Sequence, residues 1–515
     1  MGASRAAAGI VVSRVFGFGR EAVFAHHFGN GALADAWRAA LRIPNLIQNL
    51  LGEGTLGASF VPVYARLVEE GREEEAGRVA GAVLGLLVVV AGALAVAGIW
   101  AAPHLAAVLA TGFVGDDRVD ILAGLLRILF PATGVLALSA WALALLNSHR
   151  HLFVAYVAPA LWNVAMIAAL LAAATAGLMG VDLLRALAWG ALLGGALQLS
   201  FQLAFLRGVL GAVALSLDYR MRGVREVVSK VFPVIGARGA VNISALVDTN
   251  LASRLSTGAV GVLGYAQTLY LLPISVFSLS VAAAELPELA RDRVAGRDSV
   301  RERTERAAST VLFWLIPAAI GYIVFREEAM AVYRTGGAFG ENDAVVAGLV
   351  LAAYALGLPA SGTSRVLSAA YFAIGDTRTP ARIAYGRIAL SIAVSISLMF
   401  SLDRHTIGDL GLGATGLAIG ASVGAWAELA LLKRGLADRL GTVALGGVQT
   451  SRYLASAVLA TGVGLALRWA LASAPPLVVA TASIGSVAVA YLWITHLWGV
   501  SPPALASRFR RWRRG

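Results

Sequence analysis

The chain reads as a succession of long apolar runs separated by short joins rich in glycine, proline and charge. The runs fall at about 6–28, 33–66, 78–103, 120–147, 152–177, 182–207, 226–255, 259–290, 305–325, 344–373, 380–401, 411–434, 451–472 and 477–498. Each is long enough to carry an α-helix across roughly 30 Å of hydrocarbon with some tilt. The pattern therefore predicts an all-α integral membrane protein of about fourteen transmembrane helices. A lipid interior offers no water to a stray N–H or C=O, so helices, which satisfy their own backbone, are the expected elements.

Polar residues inside these runs carry the chemistry. Arg5, Arg14, Arg20, Arg38 and Arg42 lie in the first 45 residues, interleaved with apolar side chains rather than gathered in a join. An arginine at the bilayer centre costs about 2.5–3.5 kcal/mol on insertion scales. Repeated payment of that cost points to a wet, positively charged cavity suited to an anionic substrate. Arg14 and Arg20 are six residues apart, about 240° round a helix, so the first helix is wetted on more than one side or bends between them. Gly17 and Gly19 supply a place to bend, and Glu21 offsets part of the local charge.

In the second run Arg38, Arg42, Asn45 and Asn49 follow i, i+4, i+7, i+11, which predicts one polar stripe along one helix face. Gln48 borders it, Glu53 continues it, and Pro44 bends the helix. Further along, Arg238, Asn242 and Asp248 interrupt the seventh run, and Gln267 and Thr268 the eighth. Asp248 is a candidate ion-coupling residue, with a private ion pair to Arg254 or Arg238 as its alternative. Arg365 and Arg387 are expected to snorkel to an interface.

Composition supports the membrane class: 58% of the 515 residues are hydrophobic, 14% are charged, and the mean hydropathy is +0.75. Soluble proteins carry about a quarter charged residues. The net charge of +12 would ordinarily suggest nucleic acid. Here the basic residues cluster in alternate joins, among them Arg66, Arg72 and Arg78, then Arg220, Arg222, Arg225 and Lys230, then Arg291 to Arg306. The intervening joins hold little beyond Arg118, Arg326, Arg334 and Arg404. That asymmetry predicts cytoplasmic termini and no nucleic-acid partner. The tail Arg508-Phe-Arg-Arg-Trp-Arg-Arg514 fits an anchor on an anionic leaflet. No apolar stretch is followed by a cleavage site, so the first run is expected to be retained. There is no cysteine, hence no disulfide or thiolate metal site. No phosphate loop, HExxH or GxSxG motif occurs, so an enzyme, a metal and a cofactor are not expected. Asp116-Asp117 lies in too short a join for a polyprenyl-phosphate glycosyltransferase.

An internal repeat is visible. Pro62-Val-Tyr-Ala-Arg66 matches Pro287-Glu-Leu-Ala-Arg291, and Pro131-Ala-Thr-Gly134 matches Pro359-Ala-Ser-Gly362, with offsets of about 225–228 residues. Two unrelated motifs on one period predict two parallel six-helix repeats followed by two extra C-terminal helices. The expected division is an N-terminal lobe at 1–215, a C-terminal lobe at 216–440, and a helix pair with a basic tail at 441–515.

Ser13-Arg-Val-Phe-Gly-Phe-Gly-Arg-Glu21, Ala34-Asp-Ala36, Pro44-Asn45, Gly52-Glu-Gly54, Phe60-Val-Pro62 and the turn Gly375-Asp-Thr-Arg-Thr-Pro380 resemble the MurJ (MviN) lipid II flippases. These belong to the multidrug/oligosaccharidyl-lipid/polysaccharide exporter superfamily. The resemblance implies a non-enzymatic flippase that carries an undecaprenyl-pyrophosphate-linked peptidoglycan precursor to the outer leaflet of the bacterial cytoplasmic membrane by alternating access. It implies that Arg14, Arg20, Glu21 and Asp35 are functional positions and that Asn45 and Glu53 belong to the signature. Many members have an arginine where this chain has Gln48-Asn49, and another where it has Gln267-Thr268; Arg38 and Arg238 are expected to supply substitute charge.

The expected substrate-binding set is therefore Arg14, Arg20, Glu21, Asp35, Arg38, Arg42, Asn45, Asn49, Glu53 and Arg238. No cofactor is expected beyond coupling to membrane potential or a monovalent ion, with Asp248 the candidate. Partners are lipid II and membrane lipids, and the chain is expected to be a monomer. The rival readings are a flippase for an O-antigen or capsule lipid, an ion-coupled drug exporter of the same superfamily, and a non-transporting scaffold for wall synthesis. A drug exporter for cations should line its cavity with acids, and a scaffold should carry a long soluble extension.

Overall fold

A computed structural model describes residues 2–51, 53–210, 213–445 and 447–500. The side chains of residues 2–7, 53, 210, 234, 236–243 and 293–295 fall outside that description. Arg5, Glu53, Arg238, Asn242 and the basic tail of 508–514 therefore lie outside the described residues or side chains.

The fold divides into two compact units, Met1–Arg254 and Leu255–Gly515. The first contains α1 (Gly2–Phe28), α2 (Ala32–Ala40), α3 (Arg42–Leu51), α4 (Glu53–Ser59), α5 (Val61–Glu69), α6 (Glu73–Leu109), α7 (Arg118–Ser148), α8 (Leu152–Thr175), α9 (Gly180–Phe205), the single turn α10 (Arg207–Leu210) and α11 (Arg222–Ser253). The second contains α12 (Ala259–Pro273), a π-helical turn (Ile274–Ser278), α13 (Leu279–Ala295), α14 (Arg297–Val324), α15 (Arg326–Ala329), α16 (Glu341–Leu356), α17 (Leu358–Ala373), α18 (Arg378–Asp403), α19 (Gly413–Leu440), α20 (Val448–Ala470) and α21 (Pro476–Leu497). A two-residue antiparallel ladder, β1 (Thr406–Ile407) with β2 (Leu410–Gly411), closes the turn between α18 and α19.

All fourteen apolar runs coincide with a helix or a short helical series. By length and apolar character, ten helices among the described residues qualify to cross a membrane, or eleven if the bent pair α16–α17 counts as one span. The shortfall from fourteen falls on α1, the series α2–α5 and α11. These elements carry several charged and polar residues along their length, which dilute their hydropathy.

Proline accompanies two of the breaks among the described residues. Pro44 has no N–H for the carbonyl of Ala40, and α2 ends at that residue. Pro359 leaves Ala355 without its partner in the same way, and the α16–α17 pair bends by 41°. In α7 the matching Pro131 is absorbed within a continuous helix.

Within the first unit α8 packs between α1 and α9, and α7 lies against α6 and α9. The seams need small residues. A Cβ on Gly9 would approach the Phe153 carbonyl at 3.0 Å, and one on Gly194 the Trp162 carbonyl at 2.8 Å. The core is built round Trp141, Phe60, Val79 and Leu145, and the Trp141 indole donates to the Ala80 carbonyl at 3.1 Å. The helix α11, placed by sequence at the head of the second lobe, packs on α3, α4 and α6 within this unit.

In the second unit α18 lies along α19, and α17 is enclosed by α13, α14 and α19. The pair α20–α21 attaches through an aromatic cluster of Phe313, Tyr453 and Tyr491, where Tyr491 donates to the Phe313 carbonyl at 2.7 Å.

Candidate functional site

The helix α1 runs unbroken through Gly17 and Gly19 and ends at Gly29, whose φ of +57° is the left-handed stop that glycine adopts without strain. Its arginines meet different surroundings. Arg14 is exposed, whereas the Arg20 side chain is 17% exposed and lies over the Trp162 ring at 5.0 Å. The neighbouring Glu21 is buried, and both of its oxygens are used. Oε1 accepts from Arg20 at 2.6 Å and Oε2 from Arg38 at 2.5 Å. Glu21 therefore binds the end of α1 to α2 by gripping two guanidinium groups at once.

Arg38 reaches this carboxylate from α2, where it is buried and lies 5.4 Å from the Phe24 ring centroid. Three residues earlier Asp35 is fully buried and accepts from Arg118 at 3.1 Å. Arg118 begins α7, also binds Asp116 at 2.7 Å, and covers the Phe113 ring at 4.3 Å. Asp116 lies in the join before α7, and the Arg118 backbone N–H and side chain hold its carboxyl below the usual range. Asp35 is thus an anchor between α2 and α7. Sequence treated Arg118 as a stray outer-join cation and missed this role, because its partner is 83 residues away.

The predicted stripe is not one surface. The break before Arg42 puts Arg38 on a different helix from Arg42, Asn45 and Asn49. Arg38 is buried against Glu21, Arg42 is half-buried, and Asn45 and Asn49 are exposed on α3. Asn49 and Gln48 instead line a cavity of about 690 Å³ inside the first unit. Its other polar walls include Ser139, Asn163, Gln198 and Gln202. The i, i+4 pair Gln198 and Gln202 in an otherwise apolar run was the signal that could have revealed it.

In the second unit Thr268 bonds back to Gly264 of its own helix, and Gln267 donates to Tyr354 at 3.0 Å. Asp248 is half-buried on α11 of the first unit. Arg387 does not simply snorkel: it donates to Glu428 of α19 at 2.9 Å, while Arg365 is exposed on α17. Among the described residues no group of three His, Asp or Glu side chains converges as a metal site.

The arrangement can hold an anion. Arg20 spends one N–H on Glu21, rests on an indole, and directs another toward the Met166 sulfur at 4.0 Å. Sulfur is a weak acceptor that an anionic oxygen outcompetes.

Residues 24–488 match the family model described as "Lipid II flippase MurJ". A Rhizobium tropici protein named "Probable lipid II flippase MurJ" is 32% identical over 417 residues, spanning 80% of this chain and 76% of that one. A Burkholderia cenocepacia protein named "Lipid II flippase MurJ" is 30% identical over 435 residues, spanning 83% and 82%. The fold resembles a solved structure titled "Lipid II flippase MurJ, inward closed conformation", with a TM-score of 0.76, 21% identity, and 96% and 98% of the two chains covered. An inward-facing multidrug transporter of the MATE family, in the MOP superfamily, follows with a TM-score of 0.66, 15% identity, and 83% and 94% covered.

Proposed function

Because the chain belongs to the lipid II flippase MurJ family, we propose that it carries lipid II across the membrane with Arg20 and Arg38 as its pyrophosphate grip. The observation that supports this grip is the sharing of one buried carboxylate by two arginines beside an indole. Glu21 holds both guanidinium planes in place before the substrate arrives, so little order is lost on binding. Each arginine keeps one edge on Glu21 and turns another to a phosphate oxygen, forming charge-assisted, forked hydrogen bonds. Two arginines against one carboxylate leave a net positive centre, which suits an anionic lipid and opposes a cationic drug. Arg14 and Arg42 add field at longer range. No covalent bond is made or broken.

The protein is a multi-pass membrane protein. In our reading it works as a monomer in the bacterial inner membrane with both termini cytoplasmic. The Pro44 and Pro359 breaks supply bending points for exchanging access. Asp248 is our candidate for coupling transport to a monovalent cation or to membrane potential, because it is a carboxylate half-buried on α11.

The test is complementation of a bacterium depleted of its own lipid II flippase, with outer-leaflet lipid II measured directly. The wild-type chain should restore it, Arg20→Ala should lower the flipping rate at least ~10-fold, and Asp248→Asn should flip at a rate insensitive to monovalent cations and potential. Full rescue by Arg20→Ala removes the grip, and an unchanged cation and potential dependence in Asp248→Asn removes the coupling assignment.

A further inference from the structure

The span Ala259–Asp292 is not one regular helix. Between α12 and α13 the turn Ile274–Ser278 is π-helical, with the Leu279 N–H reaching back five residues to the Ile274 carbonyl. Such a turn holds one residue more than an α-helix needs, bends the helix and recurs at functional sites. Its surroundings meet the backbone groups freed beside it. Pro273 has no N–H for the Leu269 carbonyl, and the Tyr322 hydroxyl of α14 donates to that carbonyl at 2.9 Å. Ser275 donates to the Leu272 carbonyl at 2.9 Å, and Phe277 stacks on Trp314 of α14 with ring centroids 4.7 Å apart. On the other side, a Cβ on Gly362 of α17 would meet the Ser278 hydroxyl at 2.4 Å. The turn is thus seated between α14 and α17, and the fully buried Ser278 Oγ has no partner there.

The arm beyond the turn is held differently. α13 packs on α14 and α17, but its charged face rests on one guanidinium. Glu285, Glu288 and Asp292 lie at i, i+3 and i+7 on one face of α13, and Arg303 of α14 reaches them at 3.1, 3.8 and 2.5 Å. These four side chains are 22–41% exposed, so water and salt weaken the grip. At its far end α13 stops at Gly296, whose φ of +116° is a conformation that only glycine takes without strain. The segment can pivot at both ends and is weakly held between them.

We propose that α13 is a gate arm that swings from α14 about the π-helical turn and Gly296, with Arg303 as the latch that holds it in the present position. The turn supplies the slack, since its extra residue lets α13 change direction without breaking the hydrogen bonds of α12. The inference rests on the transport reading above and names the part that moves.

The chain has no cysteine, so spin labels at Ala290→Cys on α13 and Asp438→Cys on α19, both exposed, report this arm alone. The distance between them is measured by electron double resonance in nanodiscs, with and without lipid II. The labelled chain should show two distances whose ratio lipid II changes. Arg303→Met should shift that ratio about 5-fold toward the longer distance, and Arg303→Lys should recover most of the shorter one. Deleting Val276, an exposed residue of the π turn, restores the α-helical count. It should leave one distance, an unchanged unfolding midpoint and flipping at least ~10-fold slower. Arg303→Met decides the latch whether or not the shortened chain folds. One distance in a chain that flips lipid II, or an Arg303→Met ratio equal to that of the parent, overturns the gate arm and leaves the flippase reading standing. So does a folded Val276 deletion that flips at the wild-type rate. A chain that neither flips lipid II nor changes distance with it overturns both readings.

Discussion

At the scale of the residue, the arginines of the first two helices differ in what their burial costs. Arg38 is 8% exposed with its charge met by Glu21, whereas Arg14 is exposed. Removing one partner of a buried ion pair strands the other, at about 3–5 kcal/mol. Glu21→Ala is therefore expected to destabilise by about that amount and Arg14→Ala by no more than about 0.5 kcal/mol. Thermal unfolding in detergent checks both, and a Glu21→Ala midpoint equal to wild type would refute the account. The double variant Glu21→Gln, Arg38→Met should lose less than its two single changes added, because each single change leaves a group that the other removes. Sequence placed Glu21 beside Arg20 as a charge offset, and that was legible from adjacency. The second grip on Arg38 was not, since it spans the turn between two helices and periodicity along one helix cannot register it.

At the scale of the element, proline was read more faithfully than faces. Pro44 was recognised as a bend, but the bend separates Arg38 from Asn45 and Asn49 and so breaks the stripe that a continuous helix would have carried. The start of α18 shows the opposite case, a join whose local chemistry is self-sufficient. In the turn Gly375-Asp-Thr-Arg-Thr-Pro380, Asp376 Oδ1 accepts from the backbone N–H groups of Arg378 and Thr379 at 3.0 and 2.9 Å. Arg439 adds a pair at 2.6 Å, exposed enough to contribute little. The Thr379 N–H holds the carboxyl below the ordinary aspartate range, with Arg439 and Arg378 acting in the same direction. A depressed folded-state pKa contributes stability that is complete above the unfolded value, about 3.9, and is lost as pH falls through the folded one. Asp376→Ala should cost about 1 kcal/mol at neutral pH, as a lost helix cap does. The gap to wild type should narrow below about pH 4. Midpoints measured at both pH values check this, and a gap of constant size would mean that the carboxylate is not the stabilising group.

At the scale of the molecule, proline motifs on one period lead sequence to expect two lobes parting at 215–216, and the structure has two compact units, Met1–Arg254 and Leu255–Gly515, with α11 packed on α3, α4 and α6 in the first. Apolar runs mark where helices are, but the partner that each helix buries depends on contacts that hydropathy does not encode. The division has an energetic consequence. The first unit has its core round Trp141 and Phe60, and the second has separate clusters round Tyr371 and Phe313. Structures with distinct cores open in distinct cooperative pieces. Loosening one core should then raise amide exchange within its own unit. Glu21→Ala removes the tie between α1 and α2, so exchange should rise in α1, α2 and the adjoining α8. Tyr491→Phe removes the bond to the Phe313 carbonyl, so exchange should rise in α14, α20 and α21. Mass-resolved hydrogen exchange on the two variants separates the cases: each should leave the other unit at wild-type protection. If either change raised exchange evenly over both units, the molecule would open as one piece, and the separate cores would not be independent units of stability.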